Sequence, residues 1–160
     1  MKINYSNKIY IQVIDLMWLS NLNIDMPYIV RKSIFNISYK LINNSISNTD
    51  FICFEDNEII KYFNNLDWII DYDEVKDLSL YELTVYRNNV KKECNNLIKK
   101  YNGMDYYDKL KNWLLRDRIN YLNIKWLNVR DFILYRMGII RYELPEGISK
   151  HRNKLRKILK

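Results

Sequence analysis

Alanine is absent from this sequence, and glycine (three residues), proline (two), cysteine (two) and histidine (one) are scarce. Each shortage removes a class of chemistry. The three glycines are spread along the chain, so no glycine-rich turn is present whose backbone amides would cradle phosphate. Cys53 and Cys94 lie far apart and form no C-x-x-C pair, and no histidine–cysteine cluster has zinc spacing. Each thiol is expected to be buried and reduced. His151, the sole histidine, sits among lysines and arginines near the C-terminus. A Ser-His-Asp or Cys-His site would need that imidazole in a shaped pocket beside its nucleophile, so nucleophilic catalysis of this kind is not expected. Long apolar runs are missing too. The first one, residues 9–19, is interrupted by Gln12 and Asp15 and does not make a signal-peptide core, and no stretch approaches the roughly 18 apolar residues of a membrane span. The chain is therefore expected in the cytoplasm, with no membrane partner.

Asparagine, isoleucine, lysine and tyrosine are abundant instead. Their codons are rich in A and T, which points to an AT-rich genome such as that of a low-GC bacterium, or of a phage or plasmid living in one. With 48% apolar and 28% charged residues the composition is that of a globular protein. A chain of 160 residues fits one domain and can bury about 70% of its unfolded surface.

Tyr10, Val13, Ile14 and Met17 fall on one face at helical spacing across residues 8–20, although residues 9–13 also read as a strand. Asp25 ahead of Pro27 marks a helix start, and that helix should run to about Ile42 before the Asn/Ser-rich loop of residues 43–49. The short apolar runs at residues 51–54 and 68–70 are bounded by charge and suit buried strands, the first alternatively the lead-in to a helix over residues 56–66. Ser79-Leu80-Tyr81-Glu82 is a capping box, in which hydroxyl and carboxylate each satisfy a free N–H of the first turn. Leu83, Tyr86, Val90, Leu97 and Tyr101 then keep one face apolar until Gly103. A second helical region covers residues 106–137, with a break expected near Asn123. Its stripe of Leu115, Ile119, Leu122, Trp126, Val129, Ile133 and Met137 has the spacing of a core face. Gly138 should cap its end, residues 139–144 read as a short extended segment, and Leu144-Pro145-Glu146-Gly147 as a turn. The expected fold is mainly α: one compact helical domain over residues 1–148 with a small β component, followed by a basic tail at residues 149–160.

The net charge of +7 conceals three blocks. Residues 50–82 carry ten acids against Lys61 and Lys76, a balance of −8. Residues 83–142 carry thirteen basic residues against five acids, +8, and residues 149–160 carry six basic residues and no acid, +6. A basic tail either keeps a terminus solvated or contacts nucleic acid or an acidic protein face. If all six charges met phosphates, the log–log salt slope for binding DNA would be roughly −5. Lys111, Arg118 and Lys125 recur every seven residues beside Trp113 and Tyr121, so basic and aromatic residues interleave, which is compatible with nucleic acid and equally with an ordinary amphipathic helix. The acidic block either covers the solvent side of its elements or docks on a basic surface such as the nucleic-acid channel of a nuclease.

Two metal sites can be tested within residues 71–82. As a calcium loop the stretch offers Asp71, Asp73, Ser79 and Glu82 at positions 1, 3, 9 and 12, but Val75 falls at position 5 and Lys76 replaces the glycine of the sharp turn. As a nuclease motif, Glu74-Val75-Lys76 is an E-x-K triplet that would pair with Asp56 or Asp67. It would have to lie on an apolar strand, yet acids flank it on both sides. No catalytic residue, metal site or cofactor is expected.

Two segments carry a family resemblance. Asp71-Tyr72-Asp73-Glu74-Val75-Lys76-Asp77-Leu78-Ser79 leads into the long helix, and Leu144-Pro145-Glu146-Gly147-Ile148 follows Arg130-Asp131-Phe132-Ile133-Leu134. Together they resemble small uncharacterised phage and prophage proteins of low-GC Gram-positive bacteria. The shared motifs are caps and turns, so they carry no functional residue across. The resemblance implies a small protein of a mobile element, a setting in which proteins without an active site often bind host machinery. Anti-CRISPR proteins are the best-known such class. The expectation is then a non-enzymatic inhibitor whose partner is a CRISPR-Cas effector nuclease or its ribonucleoprotein complex. Asp67, Asp71, Asp73, Glu74 and Asp77 would occupy a basic channel, or Lys111, Arg118, Lys125, Lys150, Arg152, Lys154, Arg156 and Lys157 would grip guide RNA or target DNA. The alternative is a nucleic-acid-binding accessory or regulatory protein using the basic helix and tail.

Overall fold

The N-terminal residues fold as a hairpin: of the two readings of residues 8–20, the strand holds up to Gln12 and the helix begins only at Val13. In the computed structural model, which describes residues 1–21, 26–145 and 148, β1 (Lys2–Tyr5) pairs antiparallel with β2 (Lys8–Gln12), Ile3 opposite Tyr10 and Tyr5 opposite Lys8. The linking residues Ser6 and Asn7 both have positive φ, 52° and 62°. That is the backbone of a type I′ turn, whose twist matches that of paired strands. β3 (Phe51–Phe54) pairs antiparallel with the other edge of β2, giving the order β1-β2-β3. Ile3, Ile9 and Ile11 are buried in this sheet region. Along β3 the pleat turns Phe54 inward and leaves Cys53 exposed, so the expectation of two buried thiols holds only for Cys94.

Contacts within the chain gather into two compact units, residues 2–63 with the segment from Arg141, and residues 64–140 with Met1. In the first unit the chain passes from β2 directly into α1 (Val13–Asn21). The amides of Val13 and Ile14 have no carbonyl within the helix to donate to. They donate to the carbonyls of Asp50 (2.9 Å) and Asn48 (3.0 Å), so the polar loop ahead of β3 closes the helix start. α2 (Tyr28–Ile42) follows Pro27 with no side-chain cap; Asp25, the expected cap, lies outside the described residues. Val30, Ile34 and Ile37 form its buried face. α3 (Asn57–Asn64) is capped by Asp56, whose Oδ1 accepts from the amides of Glu58 (2.9 Å) and Ile59 (3.1 Å). Its Phe63 stacks on Phe54 at 5.6 Å between ring centroids.

The second unit contains four helices. α4 (Tyr72–Val75) is a single turn capped by Asp71. α5 (Leu80–Asn102) begins at the Ser79/Glu82 capping box, with both reciprocal bonds formed, and ends at Gly103. After α6 (Tyr106–Lys111), α7 (Trp113–Arg136) runs unbroken through Asn123. The break falls at Asn112 instead, whose side-chain amide donates to the carbonyl of Asp108 at 2.8 Å. α5 and α7 pack along Val90, Cys94 and Leu122, with Tyr86, Leu97, Ile98, Ile119 and Trp126 against them. Most of the expected α7 stripe is therefore core, but Met137, at the helix end, is exposed.

Two expected strands do not form. Residues 68–70 are all buried, yet they lie in an unpaired turn; burial alone explains their apolar character. Residues 139–144 make no strand either. Gly138, at φ 77°, donates to the carbonyl of Tyr135 while Ile139 donates to that of Leu134, a Schellman closure that only a residue at ease with positive φ permits. The chain then continues irregularly to Pro145, whose carbonyl accepts from Ile148 at 3.1 Å; Glu146 and Gly147 of the expected turn lie outside the described residues. The protein is thus mainly α-helical with a small antiparallel sheet.

Candidate partner-binding surface

Three of the five acidic candidates serve the fold around them. Asp67 receives a forked bond from Arg118, whose Nη1 lies 2.9 Å from both carboxylate oxygens; Arg118 also reaches Glu93 at 3.8 Å. An acidic and a basic candidate thus pair with each other across 51 positions of sequence. Asp71 caps α4 by accepting from the amide of Asp73 at 3.0 Å. Asp73 pairs with Lys76 at 3.0 Å, and that hydrogen bond, with the charge behind it, raises the Lys76 pKa. Glu74 and Asp77 are exposed and make no ion pair among the described residues. Glu74 stands on a helical turn and not on an apolar strand, so the E-x-K triplet lacks its nuclease setting. Among the described residues no group of three or more His, Cys, Asp or Glu side chains is placed to hold a metal ion.

Below this acidic turn the packing is aromatic. Tyr72 meets Phe132 edge-on at 6.4 Å, and burial pushes its phenol up to about 12. Trp68 stacks on Tyr121 at 5.4 Å, and burial raises the Tyr121 phenol as well. Arg136 holds the end of α4, its Nη1 donating to the carbonyls of Lys76 (3.2 Å) and Leu78 (2.9 Å).

The basic candidates do not form one line. Lys111 closes α6 and is exposed, while Arg118 and Lys125 lie on α7 beyond the break at Asn112. Arg118 is engaged by Asp67, and Lys125 places its ammonium 5.6 Å from the Tyr86 ring centroid. Two further cations share one indole: Lys91 stands 5.1 Å and Arg130 5.9 Å from the centroid of Trp126. Lys109 lies 5.3 Å from the Tyr101 ring. Lys91 and Arg130 were not singled out by sequence, because their shared contact joins two helices. Lys150, Arg152, Lys154, Arg156 and Lys157 lie outside the described residues.

A second surface was not anticipated. Tyr106, Tyr107 and Leu110 on α6, with Trp113 and Leu114 at the start of α7, are each more than half exposed. Asp105 fixes this turn by accepting from the amide of Asp108 at 2.8 Å, and the two tyrosine rings meet edge-on at 6.0 Å. Five large apolar side chains within nine residues are an unusual load for water-facing positions, and such patches mark interaction sites. The available signal was the i, i+3 and i+4 spacing of these residues in a stretch without a core partner. No helix among the described residues is long and apolar enough to cross a membrane. Comparison with known proteins returns nothing: no protein family, no curated protein and no solved structure matches this chain.

Proposed function

We propose that this chain works by binding and not by catalysis, as an inhibitor that docks on a CRISPR-Cas effector nuclease. The carrying observation is the exposed Tyr106, Tyr107, Leu110, Trp113 and Leu114 surface. Tyrosine and tryptophan dominate the energetics of protein interfaces because they bury much area at little entropic cost. The class of target comes from the resemblance to small phage and prophage proteins. Glu74 and Asp77 remain available to meet basic groups of the nuclease. The test is a cleavage assay with effectors from low-GC hosts. The protein should stop cleavage at stoichiometric amounts, and Trp113→Ser with Leu114→Ser should weaken inhibition at least tenfold without changing the melting temperature, since a central interface anchor is worth about 2 kcal/mol or more. If excess protein slows no effector and none co-purifies with it, the reading is wrong.

The pairing of Lys91, Lys125 and Arg130 with aromatic rings supports a second reading, a nucleic-acid-binding accessory or regulatory protein. Cations interleaved with rings suit a ligand of phosphates and bases. On this reading the isolated protein shifts DNA or RNA in a gel, the shift weakens steeply with salt, and removing residues 149–160 abolishes it. An inhibitor acting through its acidic surface shows little binding to free nucleic acid.

A further inference from the structure

α2 carries two apolar faces. Val30, Ile34 and Ile37 are buried, and at about 100° per residue Tyr28, Phe35, Tyr39 and Ile42 point to nearly the opposite side. These four are 78%, 73%, 65% and 78% exposed. Arg31 and Lys32 are also exposed, and each stands three or four residues from both Tyr28 and Phe35. They therefore border the gap between the two rings, one on either side of the stripe. Lys40 follows Tyr39. The helix contains no acidic residue, and none of its three cations makes an ion pair among the described residues.

A ligand matched to this face presents flat apolar groups and negative charge in alternation. Single-stranded nucleic acid has both, whereas a duplex hides its base faces within the stack. Three of the four stripe residues are aromatic, and of the tryptophan, phenylalanine and leucine that anchor a helix in a lipid interface only Phe35 is present. We propose that α2 is a single-stranded nucleic-acid site, in which Tyr28, Phe35 and Tyr39 stack on bases and Arg31 and Lys32 contact the phosphates between them. The proposal rests on the second reading above and places the contact on a helix that the charge pattern did not single out.

The experiment uses the full chain and a labelled oligothymidylate of about a dozen nucleotides, followed by fluorescence anisotropy. Tyr28→Ser, Phe35→Ser and Tyr39→Ser combined should weaken binding at least tenfold, because three stacking platforms for bases are removed. Arg31→Gln with Lys32→Gln should make the log–log salt slope shallower by about 1.4, at roughly 0.7 per phosphate on a single strand. Vesicles containing phosphatidylserine form the third arm. If the triple variant binds the oligonucleotide like the parent, α2 is not the site, while nucleic-acid binding through another surface stands. If the parent binds no oligonucleotide at low salt, both the site and the reading beneath it fall. If the triple variant loses only vesicle binding, the face is a lipid-surface contact and the proposal is overturned.

Discussion

α5 and α2 are both long helices, yet they use their circumference differently. α5 buries Leu83, Val90 and Cys94 along one face, exposes Leu80, Tyr81 and Val85 only near its start, and gives most of the remainder to Asn, Lys, Arg and Glu. α2 buries Val30, Ile34 and Ile37 and then turns four large apolar residues outward on the far side. Their ends differ as well: α5 starts at a reciprocal capping box, α2 at a proline with no side-chain cap. A helix with a strong cap and an outer face that is polar over most of its length is built by local rules and one packing partner. A two-faced helix keeps apolar surface that its own fold does not consume, and such surface needs a reason outside the fold.

That contrast can be broken most decisively by mutation at matched residue types. Phe132 is 1% exposed and Phe35 is 73% exposed. Phe132→Ala should cost about 3–5 kcal/mol in urea unfolding, and Phe35→Ala less than about 0.5 kcal/mol. Equal losses would mean that the outer face of α2 is covered, and the contrast would disappear. A smaller effect concerns the aromatic packing beneath α4. Burial keeps the Tyr72 proton on, so its pKa lies above that of the unfolded chain, about 12 against 10. The folded state then holds a proton that the unfolded state has lost, and stability falls as pH rises from 10 towards 12, being complete below that window. Denaturant midpoints across the window should drop, and Tyr72→Phe should make the drop smaller without removing it, because the Tyr121 phenol is raised too. Next comes the cap: Ser79→Ala should cost about 1 kcal/mol by thermal unfolding, since it leaves the amide of Glu82 without its acceptor. The smallest change sharpens the comparison from the other side. Pro27→Asp would supply the missing cap on α2 and should stabilise by about half a kcal/mol, the cap being partly offset by the extra freedom of an unfolded chain without proline.

Elements specified by neighbouring residues were legible in the sequence. The Ser79/Glu82 box, the stops at Gly103 and Gly138, the helix entered from Asp56 and the strand at residues 51–54 all stand where local chemistry put them. Where two structures share one local signal, the sequence did not choose between them. Trp68-Ile69-Ile70 has the apolar content of a strand, but it is buried as a turn. The hairpin at Ser6-Asn7 turns without glycine, the usual mark of positive φ in such loops. Asn112 and Asn123 are the same residue type, and the break shows in the non-helical backbone of Asn112, φ −106° and ψ 40°; its side-chain bond to Asp108 is of a kind that Asn128 also makes inside α7. The candidate site was the least legible part. Asp67 and Arg118 fall on opposite surfaces in the sequence reading because nothing in sequence links residues so far apart, and the apolar side chains of α6 carry no mark there, since covered and uncovered helix faces share one spacing.

The two cysteines give the molecule a practical asymmetry. Cys94 is buried, its Sγ donates to the carbonyl of Ile119 at 3.7 Å, and burial pushes its thiol up, which holds it in the unreactive form at neutral pH. Cys53 faces outward on β3. A maleimide fluorophore or a surface linker would therefore attach at one point on the folded, unmutated protein, and that point lies apart in sequence from α2, α6 and α7. The chain thus comes with its own reporter position, from which docking at each proposed surface can be followed without altering the residues that form it.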